Sequence, residues 1–165
     1  RQGGPLELGP ALDKALARFS HQFGEGGIAL EARLAPGVWV AAQEEELEQV
    51  WHHLLLNAVQ ALQGAGALRV SLRVLDGQAI VEVEDSAGAL APAVREKMFE
   101  PFFTTRPAGQ GSGLGLYLSR RIAQRWGGAL EAEARPGATV LRLRLPLLAK
   151  DGKAGPAVPK AGSGN

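Results

Sequence analysis

The stretch Leu68-Arg69-Val70-Ser71-Leu72-Arg73-Val74, followed by Asp76-Gly77 and then Ala79-Ile80-Val81-Glu82-Val83-Glu84, decides the fold. On its first arm apolar and polar residues alternate, so every second side chain faces the same way, as in a half-buried strand. Asp-Gly between two such arms is a hairpin signal, because both turn positions favour φ > 0. Outward from this hairpin the chain repeats the theme. Ala129–Ala134 and Thr139–Leu145 flank Arg135-Pro136-Gly137, and Ile28–Leu34 is followed across Pro36-Gly37 by Val38–Ala41. Helical spacing fills the intervals. It runs from Leu8 to Phe23 before Gly24-Glu25-Gly26-Gly27, from Glu44 to Leu62, and from Leu114 to Trp126 before Gly127-Gly128. Residues 92–98 read as a short helix with Pro92 near its start. Strands joined in neighbouring pairs do not suit a doubly wound parallel sheet. They predict an α+β two-layer sandwich: a mixed or antiparallel sheet with about three helices on one face.

Composition narrows the function classes. A chain of 165 residues is one domain's worth of protein. Its 22 Gly and 10 Pro exceed ordinary usage, so the positions of the glycines matter. With 45% hydrophobic and 21% charged residues the chain is not disordered. Eighteen Lys+Arg oppose 17 Asp+Glu, and setting aside Lys150, Lys153, Lys160 and Asp151 leaves 15 basic and 16 acidic residues in the first 149. That balance excludes a nucleic-acid binder relying on a broad basic face. The absence of cysteine excludes disulfides and thiolate chemistry, and three histidines without H-E-x-x-H spacing argue against zinc. No apolar run approaches the ~18 residues of a membrane span, and residues 1–20 lack a signal-peptide pattern. Because the chain starts at Arg1 and not Met, it is expected to be a piece of a longer, cytoplasmic protein region. Residues 149–165, rich in Gly, Pro, Ala and Lys without periodicity, read as a flexible tail.

Three features carry chemistry. On the helix 44–62, Leu47, Val50, Trp51, Leu54, Ala58, Ala61 and Leu62 share the core face. Glu46, Gln49, His53, Asn57 and Gln60 line the opposite arc at steps of three and four. A solvated face shows the same stripe, but Asn57 is a mediocre helix former placed mid-helix. Its amide oxygen suits a hard cation such as Mg²⁺, and Gln60, one turn on, can reach a phosphate oxygen. Gly109-Gln110-Gly111-Ser112-Gly113-Leu114-Gly115-Leu116 then opens the last helix. Free N–H groups and the positive dipole end there suit a polyphosphate, and Arg106 just ahead supplies a cation. A mobile surface loop with a good helix start is the alternative, and Glu100 to Gly113 is expected to be the most mobile internal segment. Finally, Asp85 ends an apolar strand, where a carboxylate either makes a turn or accepts a hydrogen bond from an amine such as that of adenine.

In order along the chain, QVWHHLLLNAVQAL (49–62), Asp85 after VEVE, FEPFFTT (99–105) and GSGLGL (111–116) resemble the N, G1, F and G2 boxes of the ATP-binding catalytic domain of sensor histidine kinases. These bacterial domains belong to the Bergerat-fold ATPases, and the resemblance spans roughly residues 8–147. It implies transfer of the ATP γ-phosphoryl group to a histidine on a separate dimerisation domain. Asn57 would coordinate Mg²⁺, Asp85 would bind the adenine amine, and Gln60 and Arg106 would approach phosphates. Ala87, Ala89 and Leu90 of the G1 box, Phe99, Thr104 and Thr105 of the F box, and Gly111, Gly113, Leu114, Gly115 and Leu116 of the G2 box would complete the nucleotide site. His53 occupies the place where ATP-hydrolysing relatives carry a glutamate base. An imidazole acceptor needs no water-activating carboxylate, so phosphotransfer is favoured over hydrolysis, with His53 assisting or serving structure.

The resemblance also sets the organisation. Residues 1–7 are expected to link to missing dimerisation helices, 8–148 to form the catalytic domain, and 149–165 to be the tail. His21, His52 and His53 all fall within the catalytic resemblance, so none is a phosphoacceptor. The expected partners are ATP, the dimerisation helices of the same parent kinase and, indirectly, a response regulator. The domain itself has no membrane contact, although the parent can be anchored in the inner membrane. One departure stands out. The G1 pattern D-x-G-x-G is here Asp85-Ser86-Ala87-Gly88-Ala89. If both alanine positions needed φ > 0, each would cost about 1 kcal/mol. Two readings follow: a kinase domain with weak or ordinary ATP affinity, or a degenerate domain acting as a regulatory interaction module, unless Gly88 takes over the flexible point.

Overall fold

The computed structural model describes residues 3–88, 90–103 and 113–148. It begins with a strand where the sequence suggests a linker: β1, Gly4–Glu7. Helix α1 (Leu8–Arg18) and helix α2 (Ser20–Gly26) replace the single helix expected over Leu8 to Phe23. The break falls at Phe19, whose φ of −96° and ψ of 2° leave the helical well. Two packing partners explain it: α1 lies on the long central helix, whereas α2 lies on the first strand of the main sheet. Phe19 and Phe23 remain in the core with their rings 6.3 Å apart.

Strands β2 (Ile28–Leu34) and β3 (Trp39–Ala42) follow. They do not form the pair the sequence suggests. β3 pairs antiparallel with β1, from Gly4 opposite Ala42 to Glu7 opposite Trp39. The intervening turn is tied to β1 instead, with Gly37 N–H donating to Glu7 Oε2 at 3.2 Å and Leu8 N–H to the Val38 carbonyl at 2.9 Å. Helix α3 (Glu44–Leu62) matches its expected bounds. Three glutamates in its first turn complement the helix dipole. Leu47, Val50, Trp51, Leu54, Ala58 and Leu62 are buried as expected, but Ala61 is exposed and Leu55 is buried in its stead. In the last turn Leu62 is buried and Val59 packs partly on the core.

Strands β4 (Gly66–Leu75) and β5 (Gln78–Asp85) form the central hairpin, with Leu75 opposite Gln78. Asp76 and Gly77 both take positive φ, 54° and 75°, as a two-residue turn between twisted strands requires. Helix α4 (Pro92–Lys97), helix α5 (Gly115–Arg125) and the hairpin β6 (Ala129–Arg135) to β7 (Ala138–Pro146) complete the elements. The main sheet has the order β2-β4-β5-β7-β6, and only β2 and β4 run parallel. Their connection passes through β3 and α3, as a parallel pair requires a crossover. The architecture is the expected two-layer α+β fold with a mixed sheet.

The layers follow from strand alternation. Val70 and Leu72, Val81 and Val83, and Leu141 and Leu143 share one face of the sheet and one core with α1, α3 and α5. The other face carries arginines and glutamates. The polar end of the helix-covered face is where chemistry gathers.

Candidate functional site

The site is built where the C-terminal half of α3, the end of β5 and the start of α5 meet. Helices α3 and α5 are locked along an antiparallel seam. At one end Glu46 accepts a hydrogen bond from Trp126 Nε1 at 2.7 Å and pairs with Arg125. Toward the other end, His53 lies so close to Gly115 that a Cβ there would stand 2.6 Å from Nδ1. The polar stripe of α3 is therefore not a plain solvent face: Glu46 and His53 face α5. Burial, with the neighbouring His52 second, holds the His53 imidazole below its ordinary pKa. The His52 ring meets His53 edge-on at 5.4 Å and Phe19 at 5.6 Å.

One turn beyond His53 is Asn57, and Gln60 follows; both are half-buried. Their side-chain amides have no hydrogen-bond partner among the described residues. Asp85 ends β5 near the C-terminal end of α3, because a side chain at Gly66 would meet both Leu62 and Ser86. Asp85 is only 4% exposed, and burial raises its pKa above the usual carboxylate range. The Ala87 N–H opposes that rise through a 3.1 Å bond to Oδ1, while the charge of Glu84 adds to it. A desolvated carboxylate with one oxygen to spare suits a hydrogen-bond donor from a ligand.

The turn after Asp85 answers the question for the first of its two alanines. Positive φ falls at Gly88, at 115°, and Ala87 is not among the positive-φ residues. Ala89 lies outside the described residues. Leu90 follows, half-buried against the core.

Of the F-box residues, Phe99 and Phe102 lie by α5 and the residue that precedes its N-cap. Phe99 is buried beneath Arg120, whose guanidinium lies 4.1 Å from the ring centroid while its Nε donates to the Leu130 carbonyl at 3.1 Å. Phe102 is 72% exposed and donates its N–H to the Gly113 carbonyl at 2.9 Å, which joins the two ends of the intervening loop. A side chain at Gly113 would strike the Phe102 backbone at 2.5 Å. Leu114 is the N-cap residue of α5, which has no side-chain cap, and Leu116 packs partly on the core. Thr104, Thr105, Arg106 and Gly111, with the rest of 104–112 and its expected mobility, lie outside the described residues.

The structure thus brings together Asn57, Gln60, Asp85, Gly113, Leu114 and Gly115 around one end of the fold. Sequence reasoning missed Ser86, whose hydroxyl accepts from the Ala67 N–H, and Thr139, whose hydroxyl donates to the Gly88 carbonyl in the turn after Asp85. A signal existed for Thr139: it is a lone hydroxyl on the inward face of an apolar strand, opposite Asp85 in register. Finding it requires the β5–β7 register, which no local pattern supplies.

A mixed sheet under α3 and α5, with an amide on the helix and a buried carboxylate at the strand end, defines an ATPase domain of the histidine-kinase type. Residues 42–149 match the family described as histidine kinase-, DNA gyrase B-, and HSP90-like ATPase, and the chain belongs to it. Its relatives are sensor kinases. The chain is 39% identical over 117 residues to the two-component sensor PprA of Pseudomonas aeruginosa, covering 67% of this chain and 13% of that protein. It is 32% identical over 145 residues to the C4-dicarboxylate transport sensor protein DctB of Rhizobium meliloti, covering 86% and 23% respectively. The chain therefore spans about a quarter or less of these relatives. Among solved structures, the nucleotide-free catalytic domain of histidine kinase ThkA superposes with a TM-score of 0.82 at 25% identity, covering 88% of this chain and 96% of that one. The mycobacterial sensor histidine kinase MprB gives 0.78 at 27% identity, covering 88% and 97%. No helix among the described residues is long and apolar enough to cross a membrane.

Proposed function

We propose that this domain binds Mg-ATP and transfers its γ-phosphoryl group to a histidine on the dimerisation helices of its parent protein. The observation that carries the proposal is the turn after Asp85. Its buried carboxylate keeps one oxygen for the adenine amine, and among the described residues of the turn positive φ falls on Gly88 and not on Ala87. This supports an adenine site over a degenerate, nucleotide-free module.

The remaining roles follow from placement. Asn57 and Gln60 offer amides with no hydrogen-bond partner among the described residues, on the helix facing α5. Among the described residues no three His, Asp or Glu side chains converge, so the donor set suits a cation shared between one amide oxygen, phosphates and water. Asn57 would hold Mg²⁺, which when bound neutralises charge on the phosphates. Gly113, Leu114 and Gly115 would present the start of α5, a natural anion site, to the phosphates, and Thr104, Thr105, Arg106 and Gly111, which lie outside the described residues, are assigned to the same task from sequence. His53, kept neutral by burial, supports this end of α5 through its contact at Gly115. In the transfer itself the bond from the γ-phosphorus to the bridging oxygen breaks and a phosphorus–nitrogen bond to the acceptor imidazole forms. ADP leaves with the electron pair, and the imidazole N–H proton is released. The domain's contribution is positioning and charge neutralisation.

Calorimetric titration with Mg-ATP tests the binding step, and labelled ATP with the parent's dimerisation domain supplied in trans tests the transfer. Saturable binding that Asp85→Asn removes, with label reaching the acceptor histidine, is expected. No heat at millimolar ATP would overturn the reading in favour of an interaction module.

A further inference from the structure

The two edges of the main sheet are finished differently. β6, at one edge, packs against α5, and Arg120 of that helix donates Nε to the Leu130 carbonyl. Leu130 itself is only 1% exposed. β2, at the other edge, pairs with β4 alone among the described residues. Leu30 faces the helix layer, because it is in register with the core residue Leu68, yet it is 39% exposed. Two bonds fix which backbone groups of this strand turn inward. The Gly27 carbonyl accepts from Gly66 N–H, and Ala35 N–H donates to the Leu72 carbonyl. Inward and outward groups alternate along a strand, so the N–H and C=O of Leu30, Ala32 and Leu34 point away from β4. An edge of such donors and acceptors is a template for another strand.

The residues along this edge, Leu30-Glu31-Ala32-Arg33-Leu34, are self-complementary about their centre. We infer that β2 is a homodimer seam, to which a second copy of this chain adds its own β2 antiparallel, with Ala32 opposite Ala32. Each outward pair, Ala32 with Ala32 and Leu30 with Leu34, then exchanges two backbone hydrogen bonds. On the helix side, Leu30 of each copy packs on Leu34 of the other and loses its exposure to water. On the open side, Glu31 of each copy stands opposite Arg33 of the other, at the positions where cross-strand side chains approach most closely. Sliding the partner by two residues either way sets Glu31 against Glu31 or Arg33 against Arg33, so charge selects this register. Sliding it by one turns the wrong backbone groups and faces together. Within one chain Glu31 is shared by Arg33 and Arg69, and the exposed Arg33 guanidinium keeps donors for a partner. The two-fold axis joins the sheets edge to edge with their helices on one side, and the two copies of α2, which precede β2, fall at opposite ends of the seam. β4 separates the seam from β5 and its Asp85, and α5 packs on β6 and β7. The dimer therefore leaves the proposed nucleotide site open and does not depend on that reading.

The test is analytical sedimentation of this chain over a concentration series, with thermal unfolding of every variant. A seam one strand long gives weak association, so the dimer should grow in between about 10 and 500 µM. Glu31→Arg and Arg33→Glu each set like charges against one another in both cross-strand pairs, and each should be monomeric throughout. An equimolar mixture of these two variants has opposite charges at every pair and should dimerise about as well as the parent chain. A substitution that merely disturbed the fold would not be rescued in this way. Ala32→Pro removes an outward N–H that β4 does not use, so it should melt close to the parent chain yet stay monomeric. Its Mg-ATP titration should match the parent chain's. If Glu31→Arg fails to fold, because Arg69 faces the new charge, Arg33→Glu and Ala32→Pro still decide. A parent chain that is monomeric at every concentration overturns the seam and leaves Glu31 and Arg33 as charges protecting an edge. A dimer that survives Ala32→Pro or Arg33→Glu places the contact elsewhere and overturns it too. So does a mixture that stays monomeric while both of its variants keep the parent melting temperature.

Discussion

The two faces of the main sheet treat their carboxylates in opposite ways. On the helix-covered face Asp85 is desolvated, has no cation against it among the described residues, and is pushed above the usual carboxylate range by burial. On the open face Glu133, hydrogen-bonded by Arg142 and Arg135, is pushed down to about 2. That open face is a lattice. Arg142 donates to Glu82 at 2.6 Å and also pairs with Glu133, Arg135 reaches Glu84 at 3.3 Å, and Arg144 reaches Glu131 at 2.9 Å. On this face Ile80 and Val140 are buried apart from the core under the described helices, and long arginine stems are able to cover such apolar surface. A paired charge at a surface serves the fold. A desolvated one at a strand end with an oxygen to spare suits a hydrogen-bond donor from a ligand.

The sharpest way to break the comparison is to damage the helix-covered face without touching chemistry. Leu143→Ala, at a fully buried position of β7, should cost about 2–5 kcal/mol of unfolding free energy in a denaturant titration. Asp85→Asn should act in the opposite sense on fold and function. Calorimetry should show Mg-ATP affinity reduced at least about 10-fold, because an amide presents a donor where an acceptor is needed. Its melting temperature should not fall, because the desolvated charge has gone.

On the open face Arg142→Ala removes the partner of Glu82 and Glu133, side chains that Arg142 itself helps to shield. About 1–3 kcal/mol of stability should be lost in the same denaturant titration, with ATP affinity unchanged. Acidification gives the smallest effect and orders the two carboxylates. Folding favours the protonated form of Asp85, so as pH falls through its raised pKa this group gains stability while losing its ability to accept the adenine amine. Folding favours ionised Glu133, so its contribution is whole above its ordinary value of 4.5 and drains away as pH falls toward about 2. Nucleotide binding should therefore fail at a higher pH than the lattice, as followed by calorimetry and circular dichroism on one pH series.

Much of this was legible along the chain, and the gaps share a cause. Helix α3 and the Asp76-Gly77 hairpin emerge at their expected places because periodicity and turn chemistry are local properties. Local patterns cannot name a strand's partner. The alternation of Ile28–Leu34 says that one face is buried, and it is equally satisfied by β3 beside it or by β4 beyond α3. The break at Phe19 is hidden for the same reason, since Phe19 and Phe23 keep helical spacing while α1 and α2 choose different neighbours. At the site, Asn57, Gln60, Asp85 and the Gly113–Gly115 segment could be named from sequence. The consequence of Ala87 could not, because φ at each turn position depends on bonds from residues 67 and 139.

By itself, then, the sequence determined the elements, the two-layer class and the residues that gather at one end, since side-chain period and backbone propensity act over a few neighbours. Tertiary structure alone decided that β2 runs parallel to β4, that β1 pairs with β3, and that the open face carries an ion-pair lattice. It also decided that Gly88, and not Ala87, takes positive φ in the turn after Asp85. Each of these depends on contacts between residues far apart in the chain, and which of them forms is settled by burying one common core.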